Sequence, residues 1–222
     1  MVARVMLLGA GMSFIDRLKS IGVVAVIRGR SADHAVETAQ ALIRGGMVGI
    51  EMTFTTPDCL EAVKRLRDSS DDSVCIGVGS VRSVEQIEAS AALGVSFAVS
   101  PHFEPELMIA ALEANLPYMP GGITPTEIVQ CWDSGAAAVK IFPANLVNPA
   151  YVSAIAAPLP DVPLMPTGGI APDNFLPWLE AGAVAVGMGG ALLKGSLDEI
   201  EASARLVSQQ LAAFQELRGN GS

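Results

Sequence analysis

Residues 23–53 read VVAVIRGRSADHAVETAQALIRGGMVGIEMT, and this stretch sets the expected fold. Val23–Ile27 is an unbroken apolar run, as expected of a strand covered on both faces. Ser31–Gly45 then places Ala35, Ala39, Leu42 and Ile43 at helical spacing, and Gly45 and Gly46 end it. Val48–Thr53 is a second apolar run. Strand, helix and strand in this order form a βαβ unit.

The unit repeats along the chain. Further strand-like runs are Val74–Gly77, Phe97–Val99, Pro117–Met119, Ala138–Phe142, Val162–Met165 and Ala183–Val186. Helix starts are written as Thr56-Pro57-Asp58, Thr124-Pro125-Thr126-Glu127 and Ala171-Pro172-Asp173, because a proline in the first turn gives up an N–H that has no partner anyway. Leu93-Gly94, Ser134-Gly135 and Ala181-Gly182 are stops. A helical stretch, Ser13–Ile21, precedes the first strand, and a long one, Leu197–Leu217, follows the last. Eight runs alternating with helices predict a (β/α)8 TIM barrel with an extra N-terminal helix. It would form one domain over residues 1–222, with 1–12 as an N-terminal extension. A doubly wound open sheet is the alternative, but it calls for a glycine-rich fingerprint after the first strand, and Arg28-Gly29-Arg30 is not one.

Composition narrows the function classes. Half of the 222 residues are hydrophobic, 17% are charged and the net charge is −9. Without clustered Lys or Arg, a nucleic-acid surface is disfavoured. The apolar piece Val5-Met6-Leu7-Leu8 is too short for a signal segment, and no stretch is long enough to span a membrane, so a cytoplasmic protein is expected. Cys59, Cys75 and Cys131 lack any C-x-x-C spacing and read as buried free thiols. With only His34 and His102 and no acidic cluster, neither a metal nor a cofactor is expected.

In a barrel the chemistry gathers at the C-terminal ends of the strands. Those ends carry Arg28, then Glu51 and Thr53, Gly77-Val78-Gly79-Ser80, Ser100-Pro101-His102, Pro120-Gly121-Gly122, Lys140, Thr167-Gly168-Gly169, and Gly187-Met188-Gly189-Gly190. Of four lysines, Lys19, Lys64 and Lys194 lie in helical contexts, whereas Lys140 sits inside Ala136–Phe142. Desolvation favours the neutral amine, which can attack a carbonyl and form an imine. Glu51 is the one acid inside a predicted strand and is suited to move protons during imine chemistry. The residues alone also allow a structural Lys140–Glu51 ion pair. The glycines after the seventh and eighth strands suit a phosphate held by backbone N–H groups, and Arg28 suits either a second anionic group or a surface salt bridge. His102 is a weaker proton-transfer candidate, and His34 reads as a helix-surface residue.

Seven motifs in order resemble the 2-keto-3-deoxy-6-phosphogluconate (KDPG) aldolases, a family that includes 2-keto-3-deoxy-6-phosphogalactonate (KDPGal) and 4-hydroxy-2-oxoglutarate aldolases. They are Val26-Ile27-Arg28, Ile50-Glu51-Met52-Thr53-Phe54-Thr55, Gly77-Val78-Gly79-Ser80-Val81, Ser100-Pro101-His102, Met119-Pro120-Gly121, Val139-Lys140-Ile141-Phe142-Pro143-Ala144 and Pro166-Thr167-Gly168-Gly169-Ile170. The similarity runs from about Ile21 to Gly195. It implies a metal-independent class I aldolase, usually a homotrimer, with Lys140 as the Schiff-base lysine and Glu51 as the acid/base. It implies that Thr53, Ser80, Pro101 and Thr167 line the substrate site and that Gly168, Gly169, Gly189 and Gly190 lie at the phosphate. A phosphorylated keto acid would be cleaved to pyruvate and an aldehyde. Three positions depart from the family pattern: Thr55 where many members carry Arg, leaving Arg28 to hold the carboxylate; Ser80 where Thr is usual; and Gly190 where a phosphate-binding Ser is common. A phosphosugar-binding barrel without catalysis and a sugar-phosphate isomerase or epimerase are the competing classes.

Overall fold

The computed structural model describes residues 7–8 and 12–219. The apolar runs become parallel strands because each can be buried on both faces, by the interior of the sheet on one side and by helices on the other. In chain order the elements are α1 (Phe14–Ile21), β1 (Val23–Ile27), α2 (Ala32–Arg44), β2 (Gly49–Thr53), α3 (Cys59–Ser69), β3 (Cys75–Gly79), α4 (Val84–Ala92), β4 (Ala98–Val99) and α5 (Pro105–Glu113). There follow β5 (Tyr118–Met119, resuming at Gly121–Gly122), α6 (Pro125–Asp133), β6 (Val139–Ile141), α7 (Pro149–Ala156), β7 (Leu164–Pro166), α8 (Leu176–Glu180), β8 (Val186–Met188) and α9 (Leu197–Gly219). Leu7–Leu8 pairs antiparallel with Met12–Ser13; the rest of the expected N-terminal extension lies outside the described residues.

The strands run β8-β1-β2-β3-β4-β5 in one sheet, and β7-β6 with the second piece of β5 in another, all parallel. Pro120 separates the two pieces of β5 because it has no N–H for the ladder. Its carbonyl still accepts from the Lys140 N–H at 2.9 Å. On the far side the Val184 N–H donates to the Leu164 carbonyl at 2.9 Å, and Thr167 bridges to Gly187. The architecture is thus an α/β fold with a curled parallel sheet.

Side-chain hydroxyls start the helices where N–H groups would otherwise lack partners. Ser13, Ser31 and Ser83 accept from Asp16, His34 and Gln86 N–H, and Thr124 with Glu127 closes a capping box on α6. The core has two layers. Ala35, Leu42, Ile50, Met52, Leu66 and many others fill the space between strands and helices. Phe14, Leu18 and Ile21 of α1 meet Val24, Phe97, Val99, Met119 and Met165 on the inner face of the sheet. Helix α1 therefore packs its apolar side into the curl of the sheet. Cys59, Cys75 and Cys131 are free and buried, and burial pushes the Cys59 thiol up to about 12.

Some boundaries differ from those expected. The eighth strand is Val186–Met188, not Ala183–Val186, because the Ala183 N–H still closes the end of α8 on the Trp178 carbonyl and pairing with β1 begins where Gly22 accepts from Val186. The third strand extends to Gly79, and the fifth, expected over Pro117–Met119, resumes at Gly121–Gly122. No helix of the described residues is long and apolar enough to cross a membrane.

Phe97 is fully buried, its ring centroid 6.2 Å from that of Phe14. Phe97→Ala is expected to cost about 3–5 kcal/mol in urea unfolding. Leu217→Ala, at a side chain that is 77% exposed, should stay within about 0.5 kcal/mol. Equal midpoints for the two variants would contradict this account of the inner layer.

Candidate active site

Side chains of a strand alternate between faces, so the inner face can be followed in steps of two. It passes from Ala138 to Lys140 on β6, from Met165 to Thr167 past β7, from Cys75 through Gly77 to Gly79 on β3, and from Gly49 through Glu51 to Thr53 on β2. Ala138, Met165 and Cys75 lie in the apolar inner layer. One pleat further on, the interior changes from hydrocarbon to amine, carboxylate and hydroxyl.

Lys140 is 4% exposed and Glu51 is fully buried. The Lys140 Nζ stands 4.0 Å from Glu51 Oε1. A direct charge-assisted hydrogen bond would close to about 2.8 Å, so this spacing leaves the pair unlocked. Both Glu51 carboxylate oxygens and the Thr167 Oγ1 are buried without a hydrogen-bond partner. Each such atom costs roughly 1–3 kcal/mol unless something polar meets it, and three of them lie on one inner face. A water or a substrate oxygen bridging amine and carboxylate satisfies that arrangement.

Glycines make the room. A Cβ on Gly79 would stand 1.8 Å from Glu51 Oε1, and one on Gly187 would stand 2.3 Å from Thr167 Oγ1. The Phe142 ring lies beside the amine, its centroid 5.1 Å from Nζ. Gly79 and Phe142 carry no role in the sequence pattern, and Gly187 reads there only as part of an anion loop. Following the period-two face from Glu51 and Thr167 onto their neighbouring strands is the signal that finds the glycines.

Burial is the main cause that pushes Lys140 below its ordinary 10.5; the Glu51 carboxylate opposes that shift and the Arg28 guanidinium adds to it. The amine is thus biased toward the neutral, nucleophilic form.

The other expected site residues are placed as follows. Thr53 is fully buried, and its hydroxyl donates to the Ile27 carbonyl at 2.8 Å while sharing a 2.8 Å contact with Thr55 Oγ1. With its proton on Ile27, Thr53 takes the Thr55 proton and ties the ends of β1 and β2 together. Ser80 has a left-handed backbone with φ of 58°, directly after β3. Pro101 lies under Gly121, whose Cβ would stand 2.4 Å from the Pro101 carbonyl. Gly168 and Gly169 have φ of 106° and 73°, a region that bears side chains poorly. Gly190 has open space around it, and Gly189 faces Arg28, whose Nη1 would be 3.9 Å from an added Cβ. Arg28 and His102 are exposed. No group of three His, Cys, Asp or Glu side chains that could hold a metal ion occurs among the described residues.

The lowered Lys140 value has a consequence for stability. Between that value and the ordinary 10.5, the unfolded chain binds one more proton than the folded one, so this group makes stability rise with pH. The urea midpoint of the wild-type protein relative to Lys140→Met should therefore increase as the pH is raised toward 10.5. A flat difference would mean that Lys140 is not depressed.

Comparison with known proteins agrees with this geometry. The family described as KDPG and KHG aldolase matches residues 14–207. The 2-dehydro-3-deoxy-6-phosphogalactonate aldolase of Escherichia coli is 31% identical over 193 residues, covering 86% of this chain and 92% of the relative. The 2-dehydro-3-deoxy-phosphogluconate aldolase of Treponema pallidum is 37% identical over 164 residues, covering 73% and 78%. The crystal structure of KDPG aldolase from Legionella pneumophila, with pyruvate captured as a covalent carbinolamine, superposes with a TM-score of 0.72 at 28% identity, over 90% of this chain and 97% of that one. The curled parallel sheet, its buried polar interior and these relatives together mean that the chain belongs to the KDPG and KHG aldolases, a family of lyases.

Proposed function

We propose that the chain is a class I aldolase that cleaves a 2-keto-3-deoxy-6-phospho-sugar acid through a Schiff base on Lys140. The observation that carries this reading is the buried amine, lowered by desolvation and standing 4.0 Å from a carboxylate whose two oxygens have no other partner. The carbinolamine captured in the Legionella relative supports the same chemistry. The reading also takes the two sheets as one closed (β/α)8 barrel, supported by the hydrogen bonds at Pro120 and by those joining Leu164 to Val184 and Thr167 to Gly187.

The neutral Lys140 amine adds to the C2 carbonyl, giving a carbinolamine. Loss of water leaves a protonated imine, and Glu51 moves the protons for both steps. The imine draws the electron pair of the C3–C4 bond as that bond breaks and the C4 hydroxyl gives up its proton. An aldehyde and an enamine of pyruvate result. Protonation at C3 and hydrolysis of the imine then release pyruvate and return the amine. The Phe142 ring face favours the cationic imine. Arg28 pairs with an anionic end of the substrate, and the Gly168-Gly169 and Gly189-Gly190 turns admit a phosphate to the backbone. For KDPG the aldehyde is glyceraldehyde 3-phosphate; KDPGal and 4-hydroxy-2-oxoglutarate are the other substrates in view. The reading includes a homotrimer working in the cytoplasm.

Borohydride added with pyruvate should leave a stable adduct on the Lys140 peptide; folded protein without it would refute the imine. Pyruvate release from KDPG, KDPGal and 4-hydroxy-2-oxoglutarate, measured in parallel, ranks the substrates, and Lys140→Ala should abolish it for all. Glu51→Gln should lower kcat by about 10²–10⁴-fold. Gly79→Ala should lower it at least tenfold while circular dichroism stays native, since the new methyl occupies the Glu51 carboxylate position. Normal turnover by Gly79→Ala would remove Glu51 from the mechanism.

A further inference from the structure

A cleft of about 290 Å³ opens beside the strand ends, between the β1–α2 turn and the β8–α9 turn, and the chemistry above uses only one of its residues. Arg28, Arg30, His34, Glu37 and Thr38 form one wall, and Leu193, Gly195, Ser196, Leu197 and Ile200 form the other. The cleft gathers two guanidinium groups in a chain of net charge −9. Neither has a side-chain partner among the described residues, whereas Arg44, Arg65 and Arg205 are each paired with a carboxylate. The Glu37 carboxylate is the one acid on the lining, so cations outnumber it.

The backbone that presents these groups is held in place. The Gly29 N–H donates to the buried Thr56 hydroxyl at 2.9 Å, and the Arg30 N–H reaches the His34 Nδ1 at 3.5 Å. Gly29 has little freedom to move, since a Cβ there would meet Ala35 Cβ at 2.6 Å and the Ser31 carbonyl at 2.9 Å. With Nδ1 accepting, the neutral His34 ring carries its proton on Nε2. The Ser196 hydroxyl accepts from the Glu199 N–H, and Glu199 in turn accepts from the Ser196 N–H at 2.7 Å. Ser196 and Glu199 thus close on each other, the Ser196 hydroxyl bonding the Glu199 carboxylate as well, which leaves the two guanidinium groups and the His34 Nε2–H as the donors on the lining. These donors suit a compact dianion with several acceptor oxygens better than a single carboxylate.

We propose that this cleft is a phosphate-binding site in which Arg28, Arg30 and the Nε2–H of His34 hold a phosphate monoester or inorganic phosphate. Phosphate binding stands apart from the reaction. That the ligand is the substrate's own phosphate end rests on the aldolase reading, with Arg28 as the link because it lies against both the cleft and Gly189.

Inorganic phosphate titrated calorimetrically into the whole protein tests the site. Arg30→Gln and His34→Gln should each weaken binding, the first by about tenfold or more. Arg82→Gln, an exposed arginine elsewhere, should not. Wild-type affinity in both cleft variants overturns the proposal, even if phosphate still binds at the glycine turns. The source is then decided kinetically, by the ratio of kcat/KM for KDPG to that for 4-hydroxy-2-oxoglutarate. A ratio lowered about tenfold in Arg30→Gln assigns the site to the substrate's phosphate. An unchanged ratio with phosphate affinity lost assigns it to a separate phosphorylated ligand. If wild-type protein cleaves neither of these nor KDPGal, the aldolase reading falls, and the titration still decides the cleft.

Discussion

The rest of this molecule is arranged around an amine and a carboxylate buried in the curl of a parallel sheet. Lys140 and Glu51 lie almost wholly out of water, and taking two charges there costs several kcal/mol each. The cost is met in two ways. Desolvation drives Lys140 toward its neutral form, which reduces the charge to be buried. Gly79 and Gly187 leave space in which a bound oxygen can reach Glu51 and Thr167. Packed hydrocarbon at those glycines would close that space, and a tight Lys140–Glu51 hydrogen bond would quench the amine.

A parallel sheet suits this arrangement because its register links depth in the interior to position along every strand. Met165 pairs with Lys140 and Gly77 with Glu51, so neighbouring strands are stepped, and the change to polar side chains one pleat beyond Ala138, Met165 and Cys75 forms a slanted layer. Below that layer, Phe14, Leu18 and Ile21 of α1 seal the apolar end with Phe97 and Met165. The apolar end secures the stability that the polar end gives up. The same division separates residues whose loss should unfold the protein from those whose loss should only silence it.

At the mouth of the site the balance shifts from burial to charge. Thr53 and Thr55 use their hydroxyls to tie β1 to β2, Gly190 is open, and Arg28 leans toward Gly189. In the function proposed above, anion recognition falls to backbone N–H groups and to the arginines of one short turn. Arg28-Gly29-Arg30, which failed as a dinucleotide fingerprint, has a clear electrostatic place once the β8–α9 turn faces it.

Much of this was legible beforehand. Apolar runs, proline and glycine punctuation and a lone lysine in a strand are local signals, and they gave the α/β alternation, α1, α2 and α9 nearly to the residue, and Lys140 and Glu51 as neighbours inside the sheet. The eighth strand was placed three residues early because Ala183–Val186 is apolar enough to pair. Its true start depends on where Gly22 offers a carbonyl, and no local pattern records that. By itself the sequence determined which residues are apolar, which are chemically able, and which strand ends carry them, since these follow from residue type and period. Only the tertiary structure decided the 4.0 Å gap, the oxygens left without partners, the space kept by Gly79 and Gly187, and the cleft joining residues 28–38 to 193–200. Each of those depends on the spacing between segments distant in the chain, which is set by how the strands curl and register.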